Sequence, residues 1–269
     1  MTSGHALRLI LVWDFTFRSR AAVEALTGQT PRWRSLGWRG HWLRARAQWN
    51  WRGECRSIQA FFRAVGLSSD LTDGERRFIR LGLSGDARAT AGEFCWQIEA
   101  AACLAWALRV LPRLWPMDEQ FDGQLDAATL ASPERRLVES ADLRPPEEIA
   151  AARERVKLWH WRARQLALER QGCAWPPPET SPETVAGLRT EGLDSLDGIA
   201  RATARRLREE GALDQTIEDD FAAKGKPYRQ LSQDEAGELE AIAAQRHKAL
   251  NWLAGLAPDN NWTEVPLET

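Results

Sequence analysis

The sequence predicts a mostly α-helical protein, on three observations. Apolar residues return at spacings of three and four along several long stretches, the period of one buried helical face. Helix punctuation bounds those stretches, with proline and acidic residues or a Ser-x-x-Glu box before them and glycine after them. Hydrophobic residues make up 43% of the 269 positions, enough to enclose a substantial core. The expected architecture is a single helical domain over residues 52–269 around one central buried helix.

Residues 1–51 stand apart. Trp13, Trp33, Trp38, Trp42, Trp49 and Trp51 alternate there with arginine and glycine in no steady period, so no fold is assigned to them. The expectation is a Trp/Arg-rich extension, either disordered or produced by a start codon placed too far upstream. A basic, aromatic arm for nucleic acid or an anionic membrane is the functional alternative. Residues 6–17, ALRLILVWDFTF, resemble the apolar part of a signal peptide, but Asp14 interrupts them and no basic stretch precedes them.

From Arg56 the helical period emerges, with Ile58, Phe61, Phe62 and Val65 before Gly66. Thr72 or Asp73 can cap a helix carrying Phe78, Ile79 and Leu81. The central helix is expected over residues 87–114, apolar nearly all round, with Glu99 the one charge inside it and Pro112 and Pro116 ending it. Residues 116–142 read as a long irregular connection. Pro145, Pro146, Glu147 and Glu148 then open a helix over 145–171, whose Ile149, Ala152, Val156, Trp159, Ala163 and Leu166 fall in 3,4,3,4,3 steps.

Leu158, Trp161 and Leu168 lie on roughly the opposite side, which makes Leu158 and Trp161 a candidate interaction face. A proline-rich loop follows Cys173, then a helix near Ser195–Glu210 stopped by Gly211. Gly225, Pro227 and Tyr228 suggest a small hairpin or turn within 212–231. The last helix, over 232–255, opens on a capping box of Ser232 and Glu235 and carries Leu239, Ile242, Ala243, Leu250 and Leu253 inward. Arg246 falls in the middle of that stripe.

The net charge of −2 conceals an uneven distribution, since residues 1–65 carry eleven Arg against Asp14, Glu24 and Glu54. Fourteen Trp against one Tyr and an excess of Arg over Lys point to coding-sequence composition, which weakens arginine number as a sign of phosphate binding. Cys55, Cys95, Cys103 and Cys173 form no CxxC pair and read as reduced structural thiols. No stretch approaches the roughly 18 uncharged apolar residues of a membrane-spanning helix. A cytoplasmic protein is expected.

Glu99 and Arg246 each occupy a buried helical position, and an unpaired buried charge costs several kcal/mol. They are expected to meet, or each to meet another core charge, either as a core ion pair or as the charged groups of a pocket. His160, one turn from Arg164, and His247, beside Arg246, sit at stripe edges where both rings can line one cleft. No HExxH, no paired ExxH and no Cys/His cluster is present, and neither phosphate-loop nor dinucleotide fingerprints occur, so no metal or cofactor is expected. GLSGD at 82–86 matches no nucleophile elbow, and catalytic residues are left unassigned.

Five short pieces carry a family resemblance: IEAAACLAWAL at 98–108, LRPPEEI at 143–149, KLWHWRAR at 157–164, QRHKALNWL at 245–253 and WTEVPLET at 262–269. Through them the chain from Arg56 onward resembles a bacterial family, domain of unknown function 4272, over about four-fifths of its length. The resemblance implies a helical domain and places Glu99, His160, Trp161, Arg164, Arg246, Trp252 and Trp262 on the family's motif positions. It implies no activity. Gln245 stands where the family pattern has an acid, which shifts the partnering of Arg246 toward Glu99.

The favoured expectation is therefore a non-enzymatic binding or accessory protein with a protein partner, no membrane association and no nucleic-acid role. The alternative is a small-molecule enzyme or ligand-binding domain that gathers Glu99, His160, Arg246 and His247 around an anionic ligand.

Overall fold

The structure, a computed structural model, describes residues 2–27, 38–64, 66, 68–69, 71–80, 92, 94–122 and 142–268. It is mostly helical with one small antiparallel sheet, as the sequence predicts. The chain divides into two compact units where the sequence reading has one domain. Unit 1 comprises Met1–Leu114, Phe121–Arg144 and Gly255–Val265; unit 2 comprises Trp115–Gln120, Pro145–Ala254 and Pro266–Thr269. A period count along the chain registers helices but not which of them share a core.

The described α-helices of unit 1 are α1 (Thr2–Thr27), α2 (Trp38–Ala64), α3 (Asp73–Arg80) and α4 (Gln97–Ala107). The boundary placed at residues 51/52 falls inside α2, which runs through it without a break. The segment left without a fold also contains α1, which packs along α4. Ala6, Leu9, Ile10, Leu11, Val12 and Phe15 are all buried. Those positions go most of the way round the helix, so α1 has no polar face to set a period against. Thr16 and Ser19 return their hydroxyls to the carbonyls of Val12 and Phe15, at 2.8 and 2.6 Å, which satisfies them inside the packing.

An aromatic cluster forms the core between these helices. Phe15 stacks on Phe62 with centroids 5.7 Å apart, Phe78 lies 5.1 Å from Phe94, and Trp51 meets Phe78 edge-on at 5.3 Å. Thr72 caps α3 reciprocally with Glu75: the Glu75 amide donates to Thr72 Oγ1 at 3.2 Å, and the Thr72 amide donates to Glu75 Oε2 at 2.7 Å. The other oxygen of the buried Glu75 accepts from Arg8 Nη2 at 3.1 Å. Arg8 in turn lies 4.8 Å over the Trp262 ring. Gly66, at φ +74°, follows α2 as the expected stop.

The central helix is α4, and every residue in it is buried. Residues 87–91, where its beginning is expected, and Leu81, Gly82 and Gly85 lie outside the described residues. Its end is a correction: the helix stops at Ala107 rather than running to Leu114. Arg109 turns left-handed at φ 59°, and the Val110 amide folds back to the Ala105 carbonyl at 2.8 Å. Arg144 then takes over the exposed carbonyls, donating Nε to Trp106 at 2.8 Å and Nη2 to Pro112 at 2.9 Å, while its backbone amide reaches Ala107 at 2.9 Å. The end is fixed by a guanidinium distant in sequence, before the prolines act.

Unit 2 is built on α5 (Pro146–Arg170) packed against α8 (Gln233–Leu253), with α6 (Pro182–Thr190) and α7 (Leu196–Glu209) between them in the chain. The 3,4,3,4,3 stripe of α5 is buried throughout. The capping box at Ser232 and Glu235 forms, and the Lys226 ammonium with the Ser232 amide holds the Glu235 carboxyl down at about 2. Ser195 caps α7 through the Gly198 amide at 3.0 Å.

Gly198 has a tight neighbour, since a Cβ there would lie 2.1 Å from the Gly192 carbonyl oxygen. Alanine is ordinarily the better helix former by about 1 kcal/mol. Here Gly198→Ala is expected to lower stability instead, by about 1–3 kcal/mol, which the urea unfolding midpoint would show.

The suggested hairpin is a three-stranded meander of β1 (Thr216–Ile217), β2 (Asp220–Ala223) and β3 (Lys226–Pro227). Thr216 pairs with Phe221, and Ala222 with Pro227. Both turns are two residues long with positive φ at each position, Glu218–Asp219 and Lys224–Gly225. That is the type I′ geometry matched to strand twist.

Candidate functional site

The structure brings two of the expected site residues together. His160 on α5 and His247 on α8 are both buried, with their Nδ1 atoms 3.1 Å apart. Their neighbours fix every proton in the chain of bonds. Arg153 Nε only donates, so at 2.7 Å it identifies the Asn251 oxygen; the Pro266 carbonyl only accepts, so at 2.7 Å it identifies the Asn251 nitrogen. The second proton of that amide points to His247 Nε2 at 3.1 Å. His247 therefore carries its proton on Nδ1, gives it to His160 Nδ1, and leaves the proton of His160 on Nε2.

Both rings are neutral in this arrangement, and an added proton has no acceptor to face. Burial, helped by Arg164, pushes the His160 imidazole down to about 4. Burial, with His160, Arg153 and Lys157 adding to it, does the same to His247. The pair is a packed polar junction. As a general base it would need an open face toward a substrate.

Glu99 lies in unit 1 and Arg246 in unit 2. Glu99 Oε1 accepts from the Phe121 amide at 2.8 Å. Arg246 donates Nη1 to the carbonyls of Trp115 and Pro116, at 3.1 and 2.7 Å, and Nη2 to that of Glu119 at 2.9 Å. Within unit 2, Arg246 thereby ties α8 to the 115–120 segment.

Sequence reasoning missed the best-formed ion pair of unit 2. Arg162 and Asp220 are fully buried and joined by two parallel bonds, Nε to Oδ1 at 2.9 Å and Nη2 to Oδ2 at 3.0 Å. Burial alone would raise the Asp220 carboxyl; Arg162 and the amides of Arg229 and Phe221 outweigh it and hold the group below its ordinary value. Glu169, 3.5 Å from Arg162 Nη1, is raised by burial against the pull of that same guanidinium. Tyr228 lies under Arg162 at 5.3 Å. The available signal was Arg162 itself, three residues after Trp159 and four before Leu166, on the inward stripe.

Trp161 and Leu158 are half-buried. Trp161 lines a cavity of about 660 Å³ together with Leu168, Trp175, Ile199 and Leu267, with Arg164 and Glu268 also in its wall. Leu168, Trp175 and Leu267 are 40%, 39% and 37% exposed, so half of the six large exposed apolar side chains among the described residues border this one cavity. Leu158 does not line it. No ion pair engages Arg164 among the described residues. Neither this cavity nor the one on α2 and α3 in unit 1 is lined by Glu99, His160, Arg246 or His247.

Residues 41–189, over half of the chain, match the domain of unknown function 4272 (DUF4272). The chain belongs to that family. Within this DUF4272 protein the match begins inside α2, ahead of Arg56, and takes in Glu99, His160, Trp161, Arg162 and Arg164. Their partners Asp220 and His247 come from beyond it. Neither a curated protein nor a solved structure matches the chain. The described residues include no helix long and apolar enough to cross a membrane and no cluster of three potential metal ligands.

Proposed function

We propose that this DUF4272 protein is a non-enzymatic binding protein, acting in the cytoplasm, that holds an apolar segment of a protein partner in the Trp161 cavity. The observation that carries this is the gathering of exposed apolar side chains, Leu168, Trp175 and Leu267, around the half-buried Trp161. Water-exposed indole and leucine surface in a concave site gains free energy when a partner covers it. Arg164, which no ion pair engages among the described residues, suits a partner with an acidic residue beside its apolar one. Four cysteines with no CxxC pair among them suit a reducing compartment. An enzyme that works through His160 and His247 is the weaker reading, because the two rings turn toward each other in a buried junction.

The test is a photo-crosslinking amino acid placed at Leu168 or at Leu256, both exposed, in the full chain inside cells. A discrete cross-linked partner is expected from position 168 and not from 256, and it disappears when Trp161→Asp is added. Equal products from both positions, or none from 168, would remove the cavity as a docking site.

A further inference from the structure

Unit 1 carries a cavity of about 470 Å³, lined by Trp49, Trp51, Arg52, Arg56 and Gln59 from α2 and by Arg80 from α3, among others. Trp49, Arg52, Arg56 and Gln59 follow one another at steps of three, four and three, so they share one face of α2. Trp51 beneath them is buried and fixed edge-on against Phe78 at 5.3 Å. Trp49 is the opposite case, with 71% of its surface in water, the highest figure of any large apolar side chain described. An indole that contributes nothing to the core is available to stack.

The electrostatics of this wall are one-sided. Among the described residues that line the cavity there is no carboxylate. Arg52, Arg56 and Arg80 have no ion-pair partner among the described residues; Arg56 spends only Nε, on the Arg52 carbonyl at 3.3 Å. Composition accounts for the number of arginines in the chain, but it does not by itself gather three of them around one concavity. Three guanidinium groups around one concavity repel one another until an anion lies between them. A phosphate supplies that anion, and arginine is the side chain whose forked donors fit it.

We propose that this cavity binds a phosphate-bearing nucleobase, with the base stacked on Trp49 and the phosphate held by Arg52, Arg56 and Arg80. A planar base satisfies the exposed indole and the phosphate satisfies the arginines, a pairing found in single-strand binding surfaces. The volume accommodates a small-molecule ligand or one unit of a chain. The same chemistry is offered by a free nucleotide and by single-stranded nucleic acid. The sequence reading, which discounts arginine by number, sets a nucleic-acid role aside; the geometry of α2 and α3 brings it back.

The experiment uses the full-length protein with a fluorescein-labelled oligothymidylate, adenosine monophosphate and inorganic phosphate as probes, at several salt concentrations. Saturable binding of a nucleobase probe at low salt is expected. Combining Arg52→Gln, Arg56→Gln and Arg80→Gln should make the plot of log affinity against log salt shallower by about 2 for the oligonucleotide. Trp49→Ala should weaken binding by about five- to a hundredfold. These side chains are exposed, so the unfolding midpoint stays that of the parent and serves as the folding control.

An oligonucleotide bound far more tightly than the mononucleotide assigns the site to single strands, and equal affinities assign it to free nucleotides; both support the proposal. Absence of binding by either nucleobase probe overturns it. So does a salt slope unchanged in the triple variant, or inorganic phosphate binding as well as the nucleobase probes with Trp49→Ala neutral.

Discussion

Asp220→Ala is expected to lower the unfolding free energy by about 3–5 kcal/mol. The carboxylate accepts four short bonds in a site without water access, two from Arg162 and one each from the amides of Phe221 and Arg229. Its removal strands a fully buried guanidinium whose remaining acid is Glu169 at 3.5 Å. Arg162→Ala should cost less, because Asp220 keeps both backbone donors. Replacing the pair together, as Arg162→Met with Asp220→Leu, should recover much of the loss, since two apolar side chains carry no desolvation penalty.

Chemical denaturation of the four proteins measures this, and amide exchange locates it. Phe221 and Arg229 should lose protection first, because Asp220 anchors β2 to the turn at Tyr228–Gln230. A loss below about 1 kcal/mol in Asp220→Ala would mean that the pair is held by its surroundings rather than holding them. The pH dependence has a definite sign. The folded carboxyl titrates below its unfolded value, so its contribution is present above the ordinary aspartate range and is lost as pH falls through it.

The parts of the fold legible in the sequence are those whose causes are local. The stripe of α5, the Ser232–Glu235 box and the glycines after α2 and α7 are read directly, because each depends on residues within a turn or two. α1 escapes the same reading since it is apolar on most sides, and a period exists only where two faces differ. The early stop of α4 depends on Arg144, more than thirty residues away.

The candidate sites divide in the same way. Trp161 stands out on the outward side of a regular helix, while Trp175 and Leu267, which complete its cavity, lie in loops whose course no period records. His160 and His247 can be placed on helix edges, but the Asn251 and Pro266 contacts that decide their tautomers come from tertiary packing. Arg162 was readable and its partner was not, for Asp220 sits after a two-residue turn that only the fold directs inward.

Acidification from pH 7.5 to pH 5 is expected to destabilise the protein through the His160–His247 pair, before most carboxylates begin to protonate. Unfolded, both rings take up protons near 6.5; folded, both resist until about 4. Between those limits the unfolded chain binds more protons than the folded one, so stability is fully present above pH 6.5 and declines as pH falls. Two resisting rings approach a slope of about 2.7 kcal/mol per pH unit, and roughly 2–4 kcal/mol is lost by pH 5. The side-chain charges that act on the pair are those of Arg164, Arg153 and Lys157, all positive, and each disfavours a protonated ring. The double variant His160→Gln, His247→Gln should flatten the profile, leaving the contribution of His5, which burial and the amino terminus also depress. Imidazole resonances followed by NMR give an independent reading, with the proton of His247 on Nδ1 and that of His160 on Nε2 at pH 6. Rings that titrate near 6.5 in the folded protein, or a flat stability profile over the same interval, would show that protons reach the junction freely. The bond chain from Arg153 through Asn251 to the two histidines, which ties α5, α8 and Pro266 together, would then be too weak to hold the rings neutral.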